Sequence, residues 1–521
     1  MPTVSRRAFL KGSLGFAGAA FAIGVGRRPV LGANERIHLG MAGCGGRGGG
    51  HLGAYLGMKD VDVTWCIDVD STRAQNAVKR VENGLLDGAM KAAGYKEPKL
   101  PKNASKEEKA KAAAEHAAKA AGFRKAIEGR EPKWTQDIRK ALDDKNLDAI
   151  SIATTNHWHT LMTIWAVQAE KDVYVEKPCT HNVFEGRMCS DLIAKSKQIV
   201  QTGTQRRSEG HWAKMIALTK SGKLGKLLVS HGFASKPRGS IGVQKPEDPP
   251  ANLDWNLWVG PAPMQPYHKN LVHYNWHWFW DFGNGEIGNQ GVHQTDVARW
   301  AIPGATHPKA VFSIGGRIGY DDQGETPNTQ LTVYDYGDTL LVFEVCGLVD
   351  GKSSPDVRRV SNDFVYEAGT VEEGGKFHPK DGGGKTAPLP DVEYQVQPGG
   401  PFGNFINCVR SRKKEEINAP FLEGHYSASI CHLGNISYRL GKEATFAQFD
   451  NQFESDYVNK AWERLKKHLV ESRKLDLSKC KGRIGRKLQF DPEKEQFLND
   501  PEADKMLTRP PRKPFDVPEK V

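Results

Sequence analysis

Residues 148–178 read DAISIATTNHWHTLMTIWAVQAEKDVYVEKP. The apolar run Ala149-Ile150-Ser151-Ile152-Ala153 is short enough for a buried strand. A polar turn follows at Thr154-Thr155-Asn156-His157, and the spacing from Trp158 to Ala169 predicts a helix. Val173-Tyr174-Val175 is a second short strand, ending in Glu176-Lys177-Pro178. Strand, helix, strand in this order predicts parallel strands whose carboxyl ends share the ligand-binding edge of an open sheet. Pro178 restricts the preceding residue to an extended conformation, so Lys177 is expected to be held at that edge, facing a ligand.

Upstream, the strand Arg36 to Ala42 runs into Gly43-Cys44-Gly45-Gly46-Arg47-Gly48, a G-x-G-x-x-G pattern with a helix expected from about 49 to 58. Val61 to Asp68 reads as the next strand, closing on an acid 25 residues after Gly43. This pattern predicts a Rossmann dinucleotide-binding unit. Gly43, Gly45, Gly46, Arg47 and Gly48 would hold pyrophosphate at a helix N-terminus, and Asp68 would hold ribose. An acid at 68 repels a 2′-phosphate and favours NAD; Arg47 and Arg73 keep NADP as the alternative. Thr154, Asn156 and His159 would border the cofactor from the next strand end, with Glu176 and Gln205 at further ends. The bland alternative for the glycines is a surface turn.

The first domain is expected over 34–207, with an Ala/Lys/Glu-rich insertion at about 86–129 read as a solvated helical decoration. Asp137 is expected to cap a helix from Ile138 to Leu142, Val183 to Lys195 is a predicted helix, and Gln198 to Gly203 a predicted strand. From His211 the pattern changes to long alternating strands: Lys226 to Ser235, Lys309 to Ile318 and Thr329 to Val345. The expected fold is therefore α/β: the Rossmann domain plus an α+β domain, 208–450, with an open, mostly antiparallel sheet. The Gly/Asp/Pro-rich stretch 350–400 reads as loops. A charged extension, 451–521, ends in an extended Pro510–Pro514 arm.

Residues 1–33 read as a leader. Ser5-Arg6-Arg7-Ala8-Phe9-Leu10-Lys11 fits the twin-arginine export consensus, and the uncharged stretch 12–26 behind it is too short to span a bilayer comfortably. Periplasmic localisation through the twin-arginine machinery is expected, with cleavage near Gly32 or an uncleaved anchor as alternatives. A periplasm poor in free NAD(P) favours loading before export and tight retention. Net charge is +11, of which Arg6, Arg7, Lys11, Arg27 and Arg28 supply five, leaving +6. With no aromatic-interleaved basic patch, a nucleic-acid partner is not expected. Eight scattered cysteines form no C-x-x-C pair or finger spacing, and no metal site is expected.

The segment 255–280 carries five of the twelve tryptophans, beside Tyr267, Tyr274, His268, His273 and His277. Such residues stack on sugar C–H faces and bond hydroxyls, or pack a long loop. Trp276 and His277 are the substrate-binding candidates. Residues 281–296 follow, reading DFGNGEIGNQGVHQTD.

The Glu176-Lys177-Pro178 triplet and this Gly-rich segment with His293 and Asp296 resemble the two signatures of the Gfo/Idh/MocA family, named for glucose–fructose oxidoreductase and inositol dehydrogenase. The resemblance spans about 35–450. It implies that Lys177 lies beside nicotinamide and substrate, that His293 is the catalytic base, and that Asp296 is mainly structural. Asn289 departs from the aspartate many members carry; it cannot accept a proton but can hold a hydroxyl, which leaves the base role to His293. The implied activity is NAD(P)-dependent hydride transfer from a sugar, polyol or cyclitol by a dimer or tetramer. Two alternatives remain: an NAD-dependent glycosidase that oxidises its substrate transiently, with His157, His268, His273 or His277 as acid/base, and a non-catalytic sugar-binding scaffold.

Overall fold

The computed structural model describes residues 36–518 except 97–99, 102, 351–356 and 358. The twin-arginine motif, the stretch behind it and the cleavage region near Gly32 lie outside the described residues. Among the described residues no helix is long and apolar enough to cross a membrane.

Six strands form the first sheet: β1 (Ile37–Ala42), β2 (Val61–Ile67), β3 (Lys133–Thr135), β4 (Ala149–Ile152), β5 (Asp172–Val175) and β6 (Val200–Thr202). All pair in parallel, in the order β3-β2-β1-β4-β5-β6. Every residue of β4 and β5 is buried, as expected of strands covered on both faces. After a register shift between Leu39 and Gly40 on β1, the carboxyl ends of β1, β2, β4, β5 and β6 are in step. Ala42 pairs with Ile67 and Ile152, Ile152 with Val175, and Val175 with Thr202. Gly43, Asp68, Ala153, Glu176 and Gly203 therefore emerge side by side at one edge. Strand order reverses between β1 and β4, which opens the crevice there.

The helix after the glycine motif spans Gly46–Leu56 and so begins inside the motif, three residues before the expected start. Glycine allows this: a Cβ at Gly48 would overlap the carbonyl oxygen of Gly43. The insertion comprises the end of a helix, Ser71–Ala92, and a second helix, Lys106–Ala121, opened by a Ser105/Glu108 capping box. Leu86, Met90, Ala120 and Ile127 give it a small core of its own. The other helices of this domain fall where the spacing placed them, with Asp137 capping Ile138–Leu142 and Asn182 capping Val183–Lys195.

The second sheet has eleven strands. They are β7 (Leu227–Ser235), β8 (Ala310–Gly316), β9 (Thr329–Asp335), β10 (Leu340–Cys346), β11 (Val360–Tyr366), β12 (Gly369–Glu372), β13 (Lys376–Pro379), β14 (Lys442–Thr445), β15 (Lys481–Ile484), β16 (Leu488–Asp491) and β17 (Gln496–Phe497). The order is β13-β12-β11-β7-β10-β9-β8-β15-β14, with β16 also on β8. All pairs are antiparallel except β7 with β10. The stretch expected as one strand, Thr329 to Val345, is a hairpin turning at Gly337, where φ is +90°.

One expectation needs correction. The stretch 350–400 is not all loop, because β11 to β13 lie in it. The Asn and Asp that made Val360–Tyr366 look irregular are satisfied in place: Asn362 donates to the Gln294 carbonyl at 2.8 Å, and Asp363 accepts from Arg359 at 2.6 Å. The second sheet is packed on both faces. One face packs the helices Gly291–Ala301 and Phe421–Arg439. On the other, Phe312, Leu331 and Val342 meet Phe446, Phe449, Trp462 and Leu465 from the chain's own later segments. Residues 451–521 also reach the first domain, where Phe515 stacks edge-on against Trp158 and Arg509 donates to the His157 carbonyl. All eight cysteines are free.

Candidate active site

A cavity of about 320 Å³ runs along the carboxyl edge of the first sheet, from Gly45 and Asp68 to Lys177 and Asn289. At one end lies the glycine turn. Gly43 has φ +84°, and a Cβ there would come within 2.5 Å of the Ala153 carbonyl oxygen. A side chain at either Gly43 or Gly48 would force the turn apart. Asp68 follows β2 and accepts from the backbone N–H groups of Cys44 (2.8 Å) and Asp70 (2.9 Å). Burial pushes its carboxyl above the usual range against those two bonds. Arg73 lies against Gly45 on the same wall. The turn, the helix start and the acid form a cradle that fits a dinucleotide.

Glu176 is the hub of the middle section. Its Oε1 accepts from Arg47 Nε at 2.7 Å and lies 2.9 Å from His51 Nε2, while Arg47 Nη2 donates to Gln205 at 2.9 Å. The imidazole and guanidinium hold this buried carboxyl well below the usual range despite its desolvation. Glu176 and Arg47 line the cavity; Gln205 and Gly48 stand behind its wall, one bracing Arg47 and the other packing the turn. His51 was missed by sequence reasoning. Its signal is a polar residue one helical turn after Gly48, on the face that meets the sheet. Thr154, Asn156 and His159 all line the cavity. The His159 ring spans the carbonyls of Pro178 (2.7 Å) and Thr154 (3.2 Å), tying the β4 turn to the segment after Lys177.

At the other end the two signatures meet. Lys177 Nζ donates to the backbone carbonyl of Asn289 at 2.8 Å. Burial lowers the pKa of this lysine, with Glu176 and Glu286 opposing the shift. Asn289 closes the short helix Gly285–Asn289, and its amide donates to Glu286 at 3.3 Å. Arg238 clamps Glu286 with two bonds of 2.9 Å. His293 lies one turn further on, in the helix Gly291–Ala301, and stands behind the cavity wall rather than on it. Its Nδ1 is buried and has no hydrogen-bond partner among the described residues. Burial first, and then the Lys177 charge, hold the imidazole well below its ordinary pKa, hence neutral. Asp296 does structural work, gripped by Arg207 at 2.9 and 3.0 Å.

The aromatic segment divides. Trp276 and His277 reach the cavity, stacked with ring centroids 3.6 Å apart. Trp258 also lines it and stacks on Trp255 behind. Tyr267, Leu271, Phe279 and Phe282 form the supporting cluster. His277 Nδ1 lies 2.5 Å from the Tyr274 carbonyl, and burial pushes its pKa to about 3. His273 is on the wall, 3.3 Å from Asp70. His157 is fully buried against the Trp258 carbonyl, and neither it nor His268 lines the cavity.

The sequence and the fold match known proteins. Residues 37–204 match a Gfo/Idh/MocA family model described as an oxidoreductase family, NAD-binding Rossmann fold. Residues 230–325 match the family's C-terminal alpha/beta domain. The scyllo-inositol 2-dehydrogenase (NAD(+)) of Bacillus subtilis is 32% identical over 101 residues, 19% of this chain and 30% of that protein. The levoglucosan dehydrogenase of Pseudarthrobacter phenanthrenivorans is 26% identical over 226 residues, 40% of this chain and 50% of that protein. The chain thus spans half or less of the length of these curated relatives. Among solved structures, an oxidoreductase from Thermotoga maritima superposes with a TM-score of 0.51 at 12% identity, covering 77% of this chain and 96% of its own. The chain belongs to the Gfo/Idh/MocA oxidoreductase family, with that family's NAD-binding Rossmann domain and C-terminal alpha/beta domain.

Proposed function

We propose that this protein is a dehydrogenase that oxidises a secondary alcohol of a sugar, polyol or cyclitol and keeps its NAD tightly bound. One observation carries the reading: the Lys177–Asn289 link, which joins the segments that carry the two signatures at one end of the cavity, with His293 one helical turn beyond Asn289 and behind the cavity wall. Gly43, Gly45, Gly46 and Arg47 would hold the pyrophosphate and Asp68 the ribose. Bound there, NAD supplies the hydride acceptor. The chain's part is to handle the hydroxyl. Neutral His293 takes the hydroxyl proton at its ring nitrogen. The Lys177 ammonium stabilises the alkoxide oxygen as charge builds on it, more strongly for being desolvated. Trp276 offers an apolar face for the ring C–H groups, and the Asn289 amide can hold a neighbouring hydroxyl.

Tight retention has its own support. The excursion between β7 and β8 is fastened to residues 69–71, beside the Asp68 end of the cavity. Asn252 accepts from Ser71 N–H at 2.9 Å and donates to Asp70 at 2.6 Å, and Asp254 N–H donates to the Val69 carbonyl at 2.9 Å. The Ser5–Lys11 motif supports export of the loaded protein by the twin-arginine route, and the inositol and levoglucosan relatives support a sugar-like substrate. The glycosidase reading fits less well. His277, with Nδ1 facing a carbonyl and a pKa of about 3, offers a lone pair at Nε2 rather than a proton for a leaving group.

The test is NADH formation when NAD-loaded protein meets myo-inositol, scyllo-inositol, levoglucosan and D-glucose. Reduction by at least one of them is expected. Glycoside cleavage without net reduction would move the assignment to the closed-cycle alternative.

A further inference from the structure

Asn289 and Tyr274 both line the cavity, and one clamp behind the wall holds the two of them. Arg238 follows β7. Its Nε and Nη2 donate to the two oxygens of Glu286, each at 2.9 Å, and its Nη1 donates to the Tyr274 hydroxyl at 3.2 Å. Glu286 is 2% exposed, and the oxygen that meets Arg238 Nε also accepts from the Asn289 amide nitrogen at 3.3 Å. The guanidinium is braced over Trp278, 5.5 Å from the ring centroid, and the Arg238 N–H donates to the Gly347 carbonyl at 2.8 Å. Neither Arg238 nor Glu286 lines the cavity.

The clamp decides which way each group can bond. A carboxylate oxygen offers only lone pairs, so Asn289 must turn its NH2 toward Glu286 and leave its Oδ1 outward. Asn289 is half-buried, and its Oδ1 is neither closed off from solvent nor bonded among the described residues. The Tyr274 oxygen already accepts from Arg238, so its own proton can be donated elsewhere, from a side chain that is half-exposed. The neighbouring polar groups on the wall complete the inventory. Lys177 keeps two N–H groups beyond the one on the Asn289 carbonyl. His277, with Nδ1 on the Tyr274 carbonyl, offers a lone pair at Nε2, and His273 is turned to Asp70.

Two donors and two acceptors therefore serve the substrate. A carboxylate or phosphate would satisfy Lys177 and Tyr274 but set its lone pairs against Asn289 and His277. A carbonyl or ether oxygen has no proton for Asn289. A hydroxyl both donates and accepts. We propose that Arg238 and Glu286 are positioning residues for substrate recognition. By fixing Asn289 as an acceptor and Tyr274 as a donor, they select an uncharged polyol that presents a second free hydroxyl to Asn289 besides the one oxidised. This inference rests on the dehydrogenase reading above.

The test is a charge swap, read on myo-inositol, scyllo-inositol, levoglucosan and D-glucose. KM comes from reduction of bound NAD, and Kd from calorimetry on NADH-loaded protein. Asn289→Asp sets one carboxylate against another and should raise KM and Kd about tenfold or more, equivalent to about 1.4 kcal/mol. Adding Glu286→Gln restores an amide–carboxylate pair and should return both to within about threefold of wild type. Arg238→Lys keeps the charge but not the fork, and its loss should fall in KM rather than kcat. Tyr274→Phe removes only a hydroxyl from a half-exposed ring, so it reads the donor even where a clamp variant fails to fold; a rise of about threefold or more is expected. Folded Asn289→Asp and Tyr274→Phe proteins with wild-type KM and Kd overturn the proposal, as does a double variant no better than Asn289→Asp alone. Probes that bind without reducing NAD defeat the dehydrogenase reading, while their Kd values still decide the clamp. Wild-type protein that binds none of the four overturns the polyol assignment.

Discussion

The Lys177 ammonium donates to the backbone carbonyl of Asn289 at 2.8 Å, joining residues 112 apart in sequence. One follows β5 of the parallel sheet and the other belongs to the second domain, so this end of the cavity lies where the two domains meet. The lysine is spent neither on a surface ion pair nor on a carboxylate. Its bond to a neutral carbonyl leaves the positive charge available to a developing alkoxide.

Lys177→Ala should therefore remove turnover while sparing the fold. A loss of about 10²–10³ in kcat is expected, in the range for removing one charge-stabilising donor. Dinucleotide content and thermal unfolding should stay near wild type. Steady-state kinetics beside a measured NAD occupancy checks this, and normal kcat in the folded variant would remove the lysine from the mechanism.

The pH profile tests His293. Burial and the Lys177 charge lower its pKa, so the imidazole stays proton-free to a pH below its ordinary 6.5 and loses its base function only beneath that. The acid limb of kcat/KM for alcohol oxidation should fall below 6.5. His293→Ala should lower kcat by about 10²–10⁴. An acid limb above 6.5 would mean that a different base acts.

Two glycines in one helix should behave oppositely. Gly48→Ala places a methyl on the Gly43 carbonyl and should abolish NAD binding. Gly50→Ala meets nothing within 4 Å and should stabilise the protein by about 0.5–1 kcal/mol. Bound dinucleotide and urea denaturation midpoints distinguish them.

Trp462 is 2% exposed, packs against Phe446 and Phe449, and donates to Asp450 at 2.9 Å. Trp462→Ala should cost about 3–5 kcal/mol, because this ring covers one face of the second sheet. A loss below about 1 kcal/mol would show that the later segments are not part of the fold's core.

The first sheet was legible because each chemical motif sits where a short apolar run stops: Gly43 after β1, Asp68 after β2, Glu176 after β5. What blurred the rest was polarity satisfied at long range. Asn362 and Asp363 look like loop residues until Gln294 and Arg359 are placed beside them. His51 looks like a helix-surface histidine until Glu176, 125 residues later, arrives at its ring. The early helix start at Gly46 was hidden because glycine carries no helix propensity to read. Trp276 and His277 stood out by composition, but only the cavity separates them from the tryptophans that merely support the loop.

The decisive measurement uses protein purified without added cofactor. Denaturing it, identifying the dinucleotide released, and adding the inositols, levoglucosan and glucose to an undenatured sample tests retention and chemistry together. Released NAD(H) near one per chain, and reduction of the bound cofactor in wild type but not in Lys177→Ala, is the expected result. Protein that carries no dinucleotide and binds none when NAD is supplied would contradict the assignment of this cavity to NAD and, with it, the dehydrogenase mechanism.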